Sequence, residues 1–310
     1  MSEPPRAPSG GILNFSKARG RTSFSAIGLV RRGTGVRRVG HAGTLDPMAE
    51  GVLLVCVGAA VRITEYLMDL PKAYRGTLRL GVETDTYDAE GEVVEERDVS
   101  VSEDSLRKAL AAFSGEIEQR PPAHSAVKVG GRPAYERARK GEEIELPARR
   151  VTIYRLDLLR FEPPKAEIEL ECSRGTYVRS LAHDLGQALG CGAHLSALTR
   201  TRIGPFRLED ALDEAALEAA FADGTWPDLL QPIDRGLAHL PALTVPIEDE
   251  KDLRHGQPAK VDDEDALRSA GPLADALQVR GYAEDGSLIG ILRYDAATGM
   301  WHPHKIFPGA

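Results

Sequence analysis

Gly40-His41-Ala42-Gly43-Thr44-Leu45-Asp46-Pro47-Met48-Ala49-Glu50-Gly51 runs without a break into the apolar stretch Val52-Leu53-Leu54-Val55-Cys56-Val57. The second half reads as a buried strand, because a run of six apolar, largely β-branched residues next to glycines is too short for a helix that packs on its own. The first half is a glycine-punctuated loop that delivers one carboxylate, Asp46, beside a proline at the mouth of that strand. Glycines let backbone approach a ligand closely, and the rigid proline holds the aspartate in one pose. Two readings of Asp46 stay open on this pattern, a turn cap and a reactive carboxylate. His41 reads equally as a surface-loop histidine, and Glu50 is the only other carboxylate within a few residues.

Upstream of this loop, Gly11 to Phe15 has the composition of a short strand. Thr22 or Ser23 then caps a helix through Ala26, Leu29 and Val30. Arg31 to Gly51 reads as loop. Downstream, the alternation of Tyr74, Gly76, Leu78, Leu80 and Val82 predicts a strand, Thr84 to Gly91 an acidic turn, and Val93-Val94 a further short strand. Ser102 with Ser105 to Phe113 has helical spacing. Pro121 to Arg132 reads as a loop or short strand region and Ala134 to Arg139 as a brief helix. Val151 to Leu159 and Ala166 to Cys172 read as two antiparallel strands, Arg179 to Leu189 as a helix closed by Gly190 and Gly192, and Leu208 to Phe221 as another helix. Beyond Pro241 the pattern shifts to short apolar runs at Leu243 to Ile247, Ala276 to Tyr282 and Leu288 to Tyr294, which predicts a small all-β appendage. No 20- to 50-residue repeat is visible, so a solenoid has no support.

The chain has 310 residues, 42% hydrophobic and 28% charged, enough for one large domain and a small one. Its net charge of −8 argues against a polyanionic partner only on average. Residues 1–80 carry +7, residues 81–119 carry −9, residues 120–207 carry +6 and the remainder −12. Two basic stretches can therefore share one face of an acidic molecule. Cys56, Cys172 and Cys191 are far apart and form no CxxC pair, which fits a reducing, cytoplasmic setting. The first ten residues read as a flexible tail without a signal-peptide core, and no apolar run is long enough for a membrane span.

The eight histidines form neither HExxH nor a Cys/His cluster, so no metal is expected. His302 and His304 read as a polar strand end. P-loop and strand-bound GxGxxG patterns are absent, and no nucleotide cofactor is expected. Arg31, Arg32, Arg37 and Arg38, with Arg19 and Arg21 before them, form a cluster suited to phosphates. A solvated loop is the alternative. A basic entrance next to a lone aspartate points to an RNA-processing enzyme. In Lys72-Ala73-Tyr74-Arg75-Gly76 the tyrosine either covers a sheet edge or stacks on a base. In Cys172-Ser173-Arg174-Gly175-Thr176-Tyr177-Val178-Arg179 a strand turns into a helix, and Arg179 sits at the positive end of that helix, where only an anion would favour it.

These segments, together with Gly11-Ile12-Leu13, Gly81 to Asp88, Ser125-Ala126-Val127-Lys128 and Leu189 to His194, occur in one order over about residues 10 to 235. In that order they resemble the bacterial tRNA pseudouridine-55 synthases of the TruB family. The resemblance implies a mixed α/β (α+β) catalytic domain with a central, mainly antiparallel sheet over residues 11–238, and a small β-rich PUA-like RNA-binding domain over 239–310. It implies an isomerase that converts uridine to pseudouridine in the tRNA T loop, flipping the base into a pocket for cofactor-free attack, and that also assists tRNA folding. By the same resemblance Asp46 is the nucleophile, Tyr74 lies against the base and transfers a proton, and Arg179 orients and ionises Asp46. His41 and Lys17 would contact the RNA, with Arg19, Arg21, Arg31, Arg32, Arg37 and Arg38 on its phosphates. The expected partner is the tRNA T stem-loop, with no guide RNA, no membrane and no obligate protein partner. Where the family reads Asp-Lys-Pro-x-Gly-x-Thr-Ser, this chain has Ser16 and Ala18 at the Asp and Pro positions. Attack at C1′, addition to C6 and a glycal route stay open, as do a non-catalytic RNA chaperone and an RNA-guided relative.

Overall fold

The computed structural model describes residues 10–125, 128–129, 132–134, 137, 142, 146–261 and 271–307. The expected tail over 1–10, the brief helix over 134–139 and the Ala126-Val127 step of one motif fall wholly or largely outside them. The strands are β1 (Gly10–Lys17), β2 (Val39–Ala42), β3 (Ala49–Gly58), β4 (Lys72–Leu80), β5 (Val82–Thr84), β6 (Val93–Glu96), β7 (Gly115–Gln119), β8 (Lys128–Val129) and β9 (Arg132–Pro133). They continue with β10 (Arg149–Glu162), β11 (Lys165–Cys172), β12 (Ala193–Ile203), β13 (Phe206–Arg207), β14 (Ala242–Val245), β15 (Gln278–Ala283), β16 (Leu288–Asp295) and β17 (Met300–Ile306). The α-helices are α1 (Ser23–Thr34), α2 (Thr64–Asp69), α3 (Glu103–Ala112), α4 (Val178–Ala188), α5 (Glu214–Asp223) and α6 (Ile247–Arg254).

A nine-stranded sheet in the order β1-β3-β12-β4-β11-β10-β7, with β2 on β3 and β13 on β12, forms the body of the molecule. Its pairings are antiparallel except β3 with β12, where Ala49, Glu50 and Gly51 run parallel to Leu198, Thr199 and Arg200. That one parallel pairing matters for function, because it seats the end of the Asp46 loop beside Arg200. Gly51 is required there. Its φ is +97°, and a Cβ would stand 2.3 Å from the Arg200 carbonyl oxygen. β3 is buried along nearly its whole length, as its uninterrupted apolar run requires.

Three sequence expectations change. Arg31 to Gly51 is not all loop: α1 continues to Thr34, ends on left-handed Gly35, and β2 follows with His41 inside it. The arginines of the last helical turn had disguised this, because they are also the residues that favour a helix C-terminus. The helix expected from Leu208 is a 3-10 turn over Leu208–Asp210, then extended chain, then α5. Leu212 is captured by β1, exchanging hydrogen bonds with Asn14 and Ser16, and Asp213 then caps α5 by accepting from the Ala216 N–H at 2.8 Å. The C-terminal appendage is not all β, since α6 stands between β14 and β15. Only Leu253 of α6 is buried, so its sequence carries almost no apolar period.

β14-β15-β16-β17 form a separate four-stranded sheet with its own core around Leu253, Val279, Ile289, Leu292 and Trp301. Ile291 and Phe307 leave that core and pack with Ile63 and Leu67 of the main body. Around this contact the Tyr66 hydroxyl donates to Gln278 Oε1 at 2.8 Å, and Lys305 Nζ donates to the Arg62 carbonyl at 2.7 Å. The small sheet is thus docked through apolar contact rimmed by polar bonds.

Leu54 is fully buried on β3, opposed by Asn14 of β1 and Ala42 of β2, so truncating it removes volume from the core of the body. Leu54→Ala is expected to cost about 2–5 kcal/mol. Urea denaturation checks this, and a midpoint equal to wild type would contradict it.

Candidate active site

The loop from Gly43 to Met48 is pinned at almost every residue. Arg200 Nη2 donates to the Gly43 carbonyl at 3.0 Å. The Ser23 hydroxyl both donates to the Leu45 carbonyl at 3.0 Å and accepts from the Leu45 N–H at 2.8 Å. The Pro47 carbonyl accepts from the Gly20 N–H at 2.7 Å, and the Asp46 carbonyl from Ala49 N–H at 3.1 Å. Leu45 and Met48 are buried in the main core, so the residues flanking Asp46 hold the loop down while its carboxylate stays accessible.

Opposite that carboxylate, the first turn of α4 presents Arg179. The side chain of Arg179 is 5% exposed, that of Asp46 38% and that of Asp88 4%. Arg179 Nε lies 2.9 Å from Asp46 Oδ2 and Nη1 lies 3.2 Å from Asp88 Oδ2. Both are ion pairs without the alignment of a hydrogen bond, since the Nε proton has no acceptor on its axis. The aligned bonds go to backbone: Nη1 to the Thr86 carbonyl at 3.2 Å and Nη2 to the His124 carbonyl at 3.0 Å. Asp88 in turn accepts from the Thr86 hydroxyl at 2.6 Å and the Glu90 N–H at 3.0 Å. A buried cation is tolerable only when its charge and its donors are met. Asp88 supplies countercharge and the two carbonyls accept from Nη1 and Nη2, while Nε faces Asp46, the one accessible member of the group. The anion that the position of Arg179 at a helix start called for is therefore present twice. Glu90 is raised above its ordinary value, first by burial and then by the charges of Asp88 and Asp46.

Tyr74 sits on β4 between Leu170 and Arg200 and is 8% exposed. Burial raises its phenol above the usual value, so it is protonated at neutral pH. Arg200 stands directly across from it on β12. Arg200 is itself 1% exposed and also donates from Nε to the Val52 carbonyl at 2.7 Å. One guanidinium thus joins the start of the loop to the strand that follows it, with the tyrosine across the sheet from its backbone.

The other expected contact residues divide. Lys17 is fully buried, and its ammonium donates to the carbonyls of Ala18 at 3.0 Å, Arg21 at 2.8 Å and Ala49. It ties the β1–α1 turn to the start of β3 and does not face outward as an RNA contact would. Burial, then the charge of Arg200, lowers its pKa to about 8, against the charges of Asp46, Glu50 and Glu90, which favour the charged form. His41 is half-buried, with Nδ1 covered and without a partner. Arg21 pairs with Glu214 at 2.9 Å, and Arg31 donates to the Val39 carbonyl at 3.0 Å. Arg19 is exposed, and the side chains of Arg32, Arg37 and Arg38 are exposed without a hydrogen bond or ion pair among the described residues.

Asp88 and Arg200 are the residues that reading the sequence missed. Asp88 lies among Glu83, Asp85, Glu90 and Glu92, where one buried carboxylate looks like its solvated neighbours. Arg200 had a visible signal, since strand alternation puts it on the face of Leu198, which is buried. Among the described residues no group of three or more His, Cys, Asp or Glu is arranged to hold a metal ion, and no helix is long and apolar enough to cross a membrane.

The site is thus one accessible carboxylate held by a buried arginine, set in a loop of a large, mainly antiparallel sheet. Residues 31–178 match the N-terminal domain of the TruB family pseudouridylate synthases, and residues 179–238 match the tRNA pseudouridylate synthase B C-terminal domain, so neither match reaches the small sheet. The chain is 48% identical over 253 residues to tRNA pseudouridine synthase B of Pseudomonas aeruginosa, covering 81% of this chain and 83% of that one. It is 45% identical over 305 residues to the protein of the same name from Thiobacillus denitrificans, covering 98% of each. A solved H/ACA ribonucleoprotein bound to a substrate RNA containing 2′-deoxyuridine shares the fold, with a TM-score of 0.73 and 24% identity over 96% of this chain and 85% of that one. The chain therefore belongs to the TruB family of pseudouridylate synthases.

Burial first, and then the charge of Arg200, lowers the pKa of His41. The folded chain binds that proton less readily than the unfolded chain, so His41 contributes stability above the ordinary histidine value of about 6.5 and loses it as pH falls through the lowered one. An NMR titration is expected to place His41 below about 6.5. A midpoint at or above that value would contradict the burial argument.

Proposed function

We propose that Asp46 is the nucleophile in the conversion of a tRNA T-loop uridine, at position 55, to pseudouridine. The observation that carries this is the Asp46–Arg179–Asp88 group, in which only Asp46 is open to a substrate. The reaction breaks N1–C1′, turns the uracil and joins C5 to C1′; C5 gives up a proton and N1 gains one, so nothing is oxidised or reduced. Each route that begins at a carboxylate needs it fixed in place with a cation behind it, and Arg179 supplies both. Tyr74, protonated and held on β4 across from Arg200, covers the base and can donate a proton but not accept one at neutral pH. The reading requires no metal or organic cofactor.

A uridine stacked in a folded T loop must leave the stack to reach Asp46, which costs a few kcal/mol. Phosphate contacts supply that energy, and the free guanidinium groups of Arg32, Arg37 and Arg38 are the best placed in charge and exposure to make them. His41, half-buried with its Nδ1 covered, would meet the opened loop through the exposed part of its ring. Arg21 and Arg31 hold protein structure first, and Lys17 holds the loop. We assign residues 11–238 to catalysis and 239–310 to a PUA-like second contact with the tRNA, acting in the cytoplasm without a guide RNA, membrane or obligate protein partner. Help with tRNA folding follows from the same opening and release of the T loop.

Asp46→Asn is expected to abolish conversion while tRNA affinity stays within about threefold, because it keeps shape and removes only the nucleophile. Single-turnover assay and filter binding separate the two, and affinity falling in step with turnover would contradict the assignment. Removing Arg32, Arg37 and Arg38 together is expected to flatten the slope of log affinity against log salt by about 2 to 3. An unchanged slope would place the phosphates elsewhere.

A further inference from the structure

The turn that supplies Asp88 contains an unusual backbone. Tyr87 has a φ of +64°, one of two non-glycine residues in the described chain with positive φ, in a region that side chains with a Cβ rarely adopt. Its two neighbours are the residues that meet Arg179: the Thr86 carbonyl accepts from Nη1 at 3.2 Å, and the Asp88 carboxylate lies 3.2 Å from the same nitrogen. The left-handed step at Tyr87 is what turns both groups the same way. The turn is tightly closed, since a Cβ on Gly91 would lie 2.3 Å from both Asp85 Oδ1 and Thr86 Oγ1.

The Tyr87 ring does not point into solvent. It stacks on His183 with centroids 4.0 Å apart and planes at 16°. His183 is on α4, four residues after Arg179, on the same face of that helix. The acidic turn therefore touches one helix face at two levels, by charge at Arg179 and by ring at His183. His183 has no hydrogen bond that would explain its place otherwise: Nδ1 is buried and unpartnered, 3.7 Å from Glu83 Oε2. Backbone bonds of Tyr87 to Thr84 at 3.2 Å and Leu195 at 3.0 Å fix the turn to the sheet but not to α4.

We infer that the Tyr87–His183 stack is a positioning device for the reaction: it holds the left-handed turn against α4 so that Asp88 and the Thr86 carbonyl fix the Arg179 guanidinium, which fixes Asp46. This rests on the roles proposed above for Asp46 and Arg179. Neither ring reaches the reacting atoms. Loss of the stack leaves the strained turn free to relax away from the helix, and Arg179 then shares its time between orientations.

The test is single-turnover pseudouridine formation on an unmodified tRNA transcript, with tRNA affinity and melting temperature measured on the same full-length proteins. Tyr87→Asn keeps a residue that tolerates the left-handed conformation but removes the ring, and His183→Ala removes the partner with a residue favoured in helices. Each is expected to slow the chemical step by about 2- to 10-fold, the range of an aromatic pair. Affinity for tRNA should be unchanged, and the double variant no slower than the worse single one. Tyr87→Phe, which restores the ring, is expected to restore the rate. Asp46→Asn runs alongside. If it still turns over, the reading of the site fails and this inference with it. If it is inactive while Tyr87→Asn and His183→Ala run at the wild-type rate, or if their effects multiply in the double variant, the inference alone is overturned. A Tyr87→Phe protein as slow as Tyr87→Asn overturns it too.

Discussion

A guanidinium buried to 5% exposure between two carboxylates is the constraint on which the rest of the site depends. Arg179 cannot lose its charge, and removing it from water is costly unless countercharge and acceptors are waiting. The protein spends Asp88 and two backbone carbonyls on that requirement. Asp46 then stands in the remaining quadrant, partly exposed and facing a cation that cannot move away. The two carboxylates are chemically alike and differ only in what surrounds them, one enclosed by its own turn and one opened to a ligand.

The large sheet exists, from this point of view, to bring three distant segments to one place. β2 and β3 flank the Asp46 loop, β4 carries Tyr74, and β12 carries Arg200 beside the end of that loop. The parallel pairing of β12 with β3 puts Arg200 in reach of Gly43, and its antiparallel pairing with β4 sets the same residue across from Tyr74. Ser16 and Ala18 stand where the family has Asp and Pro, yet Lys17 and Ser23 still hold the loop through backbone carbonyls and Leu45. Those bonds ask little of the side chains at positions 16 and 18. The docked C-terminal sheet shares apolar contacts with α2 of the body.

Much of the sheet was legible in the chain, because alternation in β4, β10 and β11 and the unbroken apolar run of β3 are local signals of burial. The Asp46 loop was legible for the same reason, and Arg179 because its place at a helix start calls for an anion. What could not be read depended on long-range capture. Leu212 has the composition of a helix residue but is extended because β1 takes its hydrogen bonds. Lys17 looks like an exposed cation and is buried because three carbonyls converge on it. Asp88 is one acid in an acidic turn until α4 closes over it. β17, whose His302 and His304 had read as a strand end, is a full strand because β16 pairs with it.

The central claim is that Arg179, through its planar two-sided contact, holds Asp46 for attack on a T-loop uridine. Nucleotide-resolution mapping of pseudouridine in an unmodified tRNA transcript, with the wild type and with Arg179→Lys, tests it most directly. The account predicts conversion at one T-loop uridine by the wild type, and a Lys variant that binds tRNA but reacts roughly 100-fold more slowly, because a point charge cannot span both carboxylates. Conversion by the Lys variant at the wild-type rate, or wild-type modification confined to another part of the tRNA, would contradict it.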